Sequence, residues 1–131
     1  MNISEAARRS GLSAKTIRYY EDIELIAPAS RGENGYRQYD ARAVDELHFL
    51  ARARQVGFDL QECRQLLDLL RNEHRQSRHA RDLVLEKSDQ LQERIEQLQA
   101  MQAVLRDMAS RCQGDEGPEC AILEDLSGAV S

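Results

Sequence analysis

The chain has 131 residues and a net charge of −5, with many charged residues, few aromatic residues and no tryptophan. This length suits one domain, or a small domain plus one long element, and a core of Leu, Ile, Val and Ala favours helices over sheets. No apolar run approaches the roughly 20 residues of a membrane span, and the N-terminal sequence lacks a signal-peptide core. We therefore expect a cytoplasmic protein without a membrane partner, in a compartment that keeps thiols reduced.

The charge is unevenly distributed along the chain. Residues 1–58 contain nine Lys/Arg and eight Asp/Glu, whereas residues 59–131 contain nine and fifteen. The first part is therefore net +1 and the second net −6. An acidic average does not exclude a nucleic-acid partner, because it can hide a basic face in the first part.

Two short helices joined by a tight turn are predicted at the N-terminus. Residues 3–9 form the first, with Ser4 as its N-cap, and Gly11 ends it. Ser13 then caps a second helix over residues 14–21. Two short helices with this spacing match the helix-turn-helix pattern of DNA-binding proteins.

The following residues predict a small wing and two further helices. The run "ENGYRQY" is typical of a turn leading into a short edge strand. Asp40 caps a helix that Gly57 ends, and Asp59 caps another that continues until the polar run "HRQSRHA". Cys63 lies on the apolar side of this helix, so we expect it to be a small core residue.

The longest predicted helix covers roughly residues 78–108. It contains no Gly or Pro, and Val84, Leu91, Leu98 and Leu105 recur every seven residues. Some 30 helical residues are about 45 Å long, which is too long to bury within so small a chain. The spacing favours a coiled coil, and hence a homodimer, over a helix lying on its own globule. It does not distinguish a parallel from an antiparallel arrangement.

Polar and basic residues of the N-terminal half form a candidate DNA-binding surface. The second helix of a helix-turn-helix enters the major groove, and here it reads "AKTIRYYE". Ile17 faces the core, while Lys15, Arg18 and Tyr19 or Tyr20 are available for phosphates and base edges. The wing and the next helix add a second basic group that includes Arg31, Tyr36, Arg37, Arg52 and Arg54.

The C-terminal loop "RCQGDEGPECAI" contains a pair of cysteines, Cys112 and Cys120, separated by seven residues. Its glycines and proline allow sharp turns that bring two thiolates together. Soft thiolates suit Cu(I), Ag(I), Au(I) or Hg(II). A monovalent ion accepts two sulfurs in a linear arrangement, whereas a structural zinc site needs four ligands.

Other interpretations of the cysteine pair remain open at this point. They include a disulfide redox switch, two unrelated surface cysteines, and a divalent-metal site that borrows Cys63, Ser77 or His79 from the partner chain. A thiol oxidoreductase usually has Cys-x-x-Cys at a helix N-terminus, which this chain lacks. A metal chaperone would not explain the basic N-terminal motif. We favour a regulator without enzymatic activity that binds a soft monovalent metal.

The runs "ISEAARRSGLSAKTIRYYEDIELIAP", "RGENGYRQYD" and "ARQVGFDLQE" resemble the MerR family of metal- and drug-responsive transcriptional activators. The resemblance covers essentially the whole chain. It implies a mainly α fold with a winged helix-turn-helix head, a linking helical pair, a long antiparallel coiled-coil dimerisation helix and a C-terminal metal-binding loop. The predicted regions are a DNA-binding region (1–57), a linking helix (58–76), the dimerisation helix (77–109), and the metal-binding loop with a short C-terminal helix (110–131).

The resemblance also implies which side chains contact promoter DNA. By motif position, the main contacts are Lys15, Arg18, Tyr20, Tyr36 and Arg37, with Arg31 and Arg54 as further candidates.

The pattern C-x7-C followed by "AILEDLSG" resembles the copper-, silver- and gold-responding branch of the family. This implies that Cys112 and Cys120 bind one Cu(I), or Ag(I) or Au(I), per subunit. Divalent sensors of the family have a third cysteine at the start of the long helix, where this chain has Ser77. Ser77 of the partner subunit would instead form a wall of the site. Gln113 replaces a proline that is common in the copper branch, so the preference among the three ions stays open.

The resemblance implies a mechanism as well. The homodimer binds a promoter with an unusually long spacer in both states, and metal binding shifts the balance between two dimer conformations. The segment "AILEDL" then packs differently against the partner, and the DNA is bent and undertwisted so that RNA polymerase engages both promoter elements. The expected targets are genes for copper export and detoxification.

Overall fold

The computed structural model describes residues 1–32 and 35–128, and most of them are helical. Glu33 and Asn34 of the predicted wing turn, and the last three residues of the predicted tail, lie outside the described residues. The elements are α1 (Ile3–Ser10), α2 (Ala14–Asp22), β1 (Ser30–Arg31), β2 (Arg37–Gln38), α3 (Ala41–Gln55), α4 (Leu60–Arg71), α5 (Ser77–Arg111) and α6 (Ala121–Ser127).

Helices α1 and α2 form the predicted helix-turn-helix. Gly11 ends α1 in the left-handed region, with φ of 82°, and its amide donates to the Ala7 carbonyl. The predicted cap Ser13 is confirmed, because its Oγ accepts the Thr16 amide at 3.1 Å. The predicted cap Ser4 is wrong: Asn2 caps α1 by accepting the Glu5 amide at 2.9 Å, and Ser4 lies inside the helix. Asn and Ser cap helices about equally well, so the sequence did not separate the two positions.

The wing consists of two short antiparallel strands. Ser30 pairs with Gln38 and Arg31 pairs with Arg37, so β1 and β2 form a two-stranded sheet. The sequence predicted β2 as an edge strand and did not identify β1. Two residues of strand are too few for an alternation of apolar and polar side chains to be recognised.

Helices α3 and α4 complete the head and begin at the predicted caps. Asp40 accepts the Ala43 amide at 2.8 Å, and Asp59 forms a reciprocal capping box with Glu62. Cys63 is fully buried, as predicted. The core of the head is one cluster of buried side chains: Ala6, Ile17, Tyr20, Leu25, Ile26, Tyr39, Val44, Leu47, Leu50, Ala53, Phe58, Cys63 and Leu67.

Two arginines of α4 join this helix to neighbouring parts of the head. Arg64 donates to the carbonyls of Ile23 and Glu24 at 3.0 and 3.1 Å. Arg71 forms a two-point ion pair with Glu46 of α3 at 2.8 and 2.9 Å. Carbonyls at a helix C-terminus lack intrahelical partners, and a cation satisfies them well. Helix α4 thus fixes the C-terminal end of α2 against the core.

Helix α5 has 35 residues and ends at Arg111, two residues beyond the end of the predicted range 77–109. The chain divides into two compact units, Met1–Lys87 and a second that begins at Ser88. In the second unit every residue from Ser88 to Asp107 is exposed. The next residue, Met108, is the one buried residue of α5. Within residues 1–32 and 35–128, no helix combines the length and the apolar character needed to cross a membrane.

We expect Leu47→Ala to lower the free energy of unfolding by about 2–5 kcal/mol, because Leu47 is fully buried and its truncation leaves a cavity. Val56→Ala is the matched control, since Val56 is 59% exposed and its change should stay within about 0.5 kcal/mol. Urea unfolding at one fixed protein concentration measures both. Equal losses in the two variants would contradict the assignment of Leu47 to the core.

Candidate DNA-binding surface and metal centre

Helix α2 has one buried face and one exposed face. Ile17, Tyr20 and Glu21 are buried, whereas Lys15 and Arg18 are exposed. The spacing of three and four residues between the buried positions keeps them on one side of the helix. Two cations are therefore presented away from the core, as a helix that enters the major groove requires.

Tyr20, one of the predicted DNA contacts, packs its ring against the core of the head. It is 4% exposed and belongs to the core, and burial raises the pKa of its hydroxyl while the neighbouring Arg54 guanidinium opposes that rise. Its position three residues after Ile17 places it on the inner face of α2. Tyr19, which is 47% exposed, is the tyrosine that α2 presents to solvent.

A buried carboxylate joins α2 to the wing. Glu21 is 8% exposed, and its Oε2 lies 3.2 Å from Nη1 of Arg37 in β2. The hydroxyl of Tyr39 donates to Glu21 Oε1. A buried charge is costly unless it is paired and hydrogen-bonded, and these two partners supply both. Burial, together with the hydrogen bond to Glu21 and its negative charge, raises the pKa of Tyr39 to about 12.

Sequence reasoning did not identify Glu21 as a positioning residue. The available signal was a carboxylate four residues after the core residue Ile17, on the inner face of an amphipathic helix. A charged residue in that position indicates a buried partner, because an unpaired charge would not be tolerated there.

The remaining predicted DNA-binding residues lie on the surface of the head. Tyr36 is 69% exposed, and Arg31 and Arg54 are also exposed. Arg54 donates to the Phe58 carbonyl at 3.1 Å. Three of the predicted residues, Arg18, Tyr36 and Arg37, line one cleft of about 410 Å³. Its other lining residues are Asn2, Ile3 and Gln38.

The two loop cysteines come together in the second unit. Cys112 and Cys120 are both partly exposed, and their Sγ atoms lie 3.4 Å apart as free thiols. This is longer than the bond of about 2.05 Å in a disulfide. It is shorter than about 4.6 Å, which is twice a bond of about 2.3 Å from sulfur to zinc, so the sulfurs must separate slightly to bind an ion between them.

Helix α6 begins directly after Cys120. The backbone amide of Leu123 lowers the pKa of the Cys120 thiol, and the Cys112 thiol and the amide of Ile122 act in the same direction. Burial and the carboxylate of Glu124 oppose this effect. The amides that lack intrahelical partners at a helix N-terminus stabilise an anion. The pair therefore has the chemistry of a soft-metal site, with one thiol predisposed to ionise.

The rest of the loop provides no further metal ligands around the sulfurs. Asp115, Glu116 and Glu119 are exposed, and Asp115 accepts the Gly117 amide at 2.9 Å. Arg111 is paired with Asp125 and with Asp107. Among the described residues, no three His, Cys, Asp or Glu side chains are grouped so as to hold a metal ion.

Two other residues were considered as part of a metal site, Ser77 and Cys63. Ser77 is the exposed first residue of α5. Cys63 is buried in the core of the head, where burial raises the pKa of its thiol. Its burial makes it a packing residue rather than a ligand donor within its own chain.

A winged helix-turn-helix head combined with a pair of free thiols is typical of a DNA-binding regulator that responds to a metal ion. The chain belongs to the MerR family. The family model described as MerR HTH family regulatory protein matches residues 1–70, and the model described as MerR, DNA binding matches residues 44–108.

Similar proteins support the same assignment. The chain is 48% identical over 127 residues to the HTH-type transcriptional regulator HmrR of Rhizobium leguminosarum bv. viciae, covering 97% of this chain and 98% of that protein. It is 43% identical over 128 residues to the regulator CueR of Salmonella typhi, covering 98% and 93%. The transcription regulator PbrR691 from Ralstonia metallidurans CH34, crystallised with lead(II), superposes with a TM-score of 0.84 at 29% identity, covering 96% and 98%.

The predicted family and mainly α fold are confirmed, and the chain is a metal-responsive transcription regulator that binds promoter DNA rather than an enzyme.

We expect Cys120 to react with iodoacetamide at lower pH than Cys63. The thiolate is the reactive form; the pKa of Cys120 is lowered and that of buried Cys63 is raised. Peptide mass spectrometry after brief alkylation from about pH 6 to about pH 10 measures both midpoints. Glu124→Gln should lower the Cys120 midpoint further, because it removes a nearby negative charge. A Cys120 midpoint equal to that of an unfolded peptide would refute the contribution of α6.

Proposed function

We propose that this chain is a homodimeric copper(I)-responsive transcriptional activator that acts in the cytoplasm. Cys112 and Cys120 bind one Cu(I) per subunit, and Ag(I) or Au(I) share the same chemistry. The observation that carries the proposal is the contact of two free thiols at 3.4 Å, at the start of α6. Soft monovalent ions prefer such sulfur ligands.

The number of ligands favours a monovalent ion. Two thiolates suffice for a monovalent ion of this class, whereas borderline divalent ions such as zinc take three or four protein ligands. Ser77 occupies the position of the third cysteine of divalent sensors, and we propose that Ser77 of the partner subunit walls the site. Two thiolates with Cu(I) leave one net negative charge, and the α6 amides that face Cys120 offset part of it.

The second candidate is a divalent soft metal such as lead(II). The similarity to PbrR691, which was crystallised with lead(II), favours this alternative. Lead(II) with the same two thiolates is neutral, so it gains less from the α6 amides. It also accepts more than two ligands, which a partner chain would have to supply.

The exposed apolar side chains of α5 support a homodimer, in which they pack against a second copy of this chain. Leu91, Ile95, Leu98, Met101 and Leu105 are 43% to 64% exposed. Apolar side chains at this spacing on a long helix are typical of a coiled-coil seam. We propose an antiparallel pairing, following the resemblance to the family.

The head of each subunit offers the DNA contacts. We propose that Lys15 and Arg18 of α2 contact DNA at the major groove, with Lys15 on a phosphate. The wing residues Arg31, Tyr36 and Arg37, together with Arg54 of α3, contact the neighbouring backbone. Tyr20 supports α2 from the core and directs its hydroxyl to a neighbouring phosphate. Arg37 has a double role, because its pairing with Glu21 fixes the wing relative to α2.

We propose that metal binding acts on the promoter through DNA shape. Ordering of the cysteine loop changes the packing of α6, whose Leu123 and Leu126 are 64% and 71% exposed, against the partner. The dimer then favours the conformation that bends and undertwists the promoter spacer, so that RNA polymerase engages both promoter elements. Such deformation costs several kcal/mol, about 1–6 for a bend of one site, which the contacts of two heads can offset.

Salt dependence separates phosphate contacts from positioning residues. We expect Lys15→Met to reduce the slope of log K against log salt by about 0.9, because one phosphate contact is lost. Arg37→Met should weaken binding while changing the slope less, because Glu21 already neutralises part of the Arg37 charge. Fluorescence anisotropy with a promoter duplex at several salt concentrations measures both. Equal slope changes would make Arg37 an ordinary phosphate contact.

An anaerobic titration with Cu(I) against a competing chelator tests the metal assignment. We expect one tightly bound ion per subunit in the wild type, with at least a tenfold weaker affinity in Cys112→Ser and in Cys120→Ser. Cys63→Ala is the matched control and should keep the wild-type affinity, because Cys63 is buried in the head. Parallel titrations use Pb(II) and Zn(II), with promoter transcription read in the same samples.

Activation by Cu(I) alone, lost in both loop variants, is the result that the proposal requires. Stronger binding of Pb(II) or Zn(II) with activation would overturn it in favour of a divalent sensor. Tight Cu(I) binding that survives both loop substitutions would remove Cys112 and Cys120 from the site.

A further inference from the structure

Arg111 joins the last turn of α5 to α6. It is the last residue of α5, and its Nη2 donates to Oδ2 of Asp125 in α6. Its Nε lies 3.2 Å from Oδ2 of Asp107, one turn earlier in α5. The side chain of Asp125 is only 22% exposed, whereas that of Asp107 is 67% exposed. A guanidinium is planar and its N–H groups point in fixed directions, so two carboxylates define its orientation.

The Arg111–Asp125 ion pair and the pair of thiols close the same segment of chain. Arg111 directly precedes Cys112, and Asp125 lies five residues after Cys120. The ion pair joins residues fourteen positions apart, and the sulfur contact inside that segment joins residues eight positions apart. The ends of a flexible segment come together only at a cost in chain entropy. A contact that closes the outer segment therefore lowers the entropy lost when the two sulfurs meet.

The charge of the segment gives Arg111 a particular weight. Residues 112–131 contain no Lys or Arg and five Asp or Glu. Arg111 lines a cavity of about 310 Å³ together with Cys120 and three acidic residues, Asp115, Glu119 and Glu124. Carboxylates repel one another when such a segment folds back on itself, and the guanidinium at its start opposes this repulsion.

We propose that Arg111 is a positioning residue that holds α6 against the end of α5 through Asp125, and thereby keeps Cys112 and Cys120 together before an ion arrives. The ion pair raises the effective concentration of one thiol at the other. It acts in the metal-free chain, so it does not depend on which ion the loop binds. Its contribution to metal affinity rests on the proposed function, because a pair of sulfurs that is already assembled loses less entropy on binding.

The equilibrium between the two thiols and their disulfide measures this effective concentration without a metal. The whole chain has three cysteines, so Cys63→Ala leaves only the loop pair. This protein is equilibrated anaerobically with reduced and oxidised glutathione and a metal chelator. Each Cys112–Cys120 disulfide that forms converts one glutathione disulfide into two glutathione thiols, so the equilibrium constant is a concentration. Acid quenching, alkylation and mass spectrometry count the reduced, oxidised and mixed-disulfide forms.

We expect Arg111→Gln and Asp125→Asn each to lower the effective concentration about threefold, which is the size of one partly exposed ion pair. The double variant should lose no more than either single variant, because both substitutions remove one interaction. Arg111→Lys keeps a cation opposite Asp125 and should recover most of the wild-type value. A general disturbance of the loop would not show this dependence on charge.

Two control variants separate the ion pair from a general loss of charge and from an effect on α5 alone. Arg106→Gln removes an exposed charge from the same helix and should match the parent protein. Asp107→Asn removes the partner of Arg111 within α5 and should change the value less than Asp125→Asn does. Urea unfolding establishes that all variants are compared in the folded state, and Asp125→Asn serves if Arg111→Gln does not fold.

The outcomes separate this proposal from the proposed metal. An unchanged effective concentration in Arg111→Gln or in Asp125→Asn overturns the role of the ion pair, and so do losses that add in the double variant. A Cu(I) titration of the same variants against a competing chelator should show affinities weakened by the same factor, and an unchanged affinity overturns the contribution to binding. A parent protein that does not bind Cu(I) overturns the proposed metal instead and leaves the disulfide result on Arg111 valid.

Discussion

The DNA-binding head depends on a buried carboxylate. Glu21 lies on the inner face of α2, where an unpaired charge would be strongly unfavourable, and it is satisfied only when Arg37 and Tyr39 are in place. The wing has two residues in each strand and little core of its own, so this pairing supplies its defined position against α2. Helix α2 and the wing are thereby joined through one carboxylate. Two polar contacts of Glu21 thus link the two elements that we propose contact DNA.

The cysteine loop, in contrast to the head, is not organised around a buried polar contact. Its thiols are partly exposed, its acidic residues face solvent, and its local order comes from short-range contacts such as the Asp115–Gly117 hydrogen bond. In the metal site that we propose, the sulfurs, now 3.4 Å apart, would have to separate by about 1 Å to hold an ion linearly between them. Such a rearrangement would convert binding energy into a conformational change, as a sensor requires. The amides at the start of α6 would couple it to that helix.

Much of the fold follows from local sequence rules, and the remainder depends on contacts between distant residues. Ser13, Asp40 and Asp59 were identified as caps because side-chain capping is a matter of a few neighbouring residues. Asn2 and β1 were missed, since two good caps stood close together and a two-residue strand has no periodicity. Tyr20 was predicted as a DNA contact by motif position, and its spacing from Ile17 already indicated that its ring packs in the core. The role of Arg37 could not be read from sequence, because its partner Glu21 is far away in the chain.

Helix α4 is held in the head by polar contacts along its whole length. At its start Glu62 binds Lys87 of α5, in its middle Arg64 holds the carbonyls after α2, and at its end Arg71 binds Glu46 of α3. These two ion pairs and the hydrogen bonds of Arg64 are directional, whereas the apolar contacts of Cys63 and Leu67 between them specify burial but not orientation. Through these contacts α4 is held at once against the start of α5, against the residues that follow α2 and against α3. The charges of α4 thus make orientation of the head a property of the whole helix, whereas its apolar residues secure only its attachment.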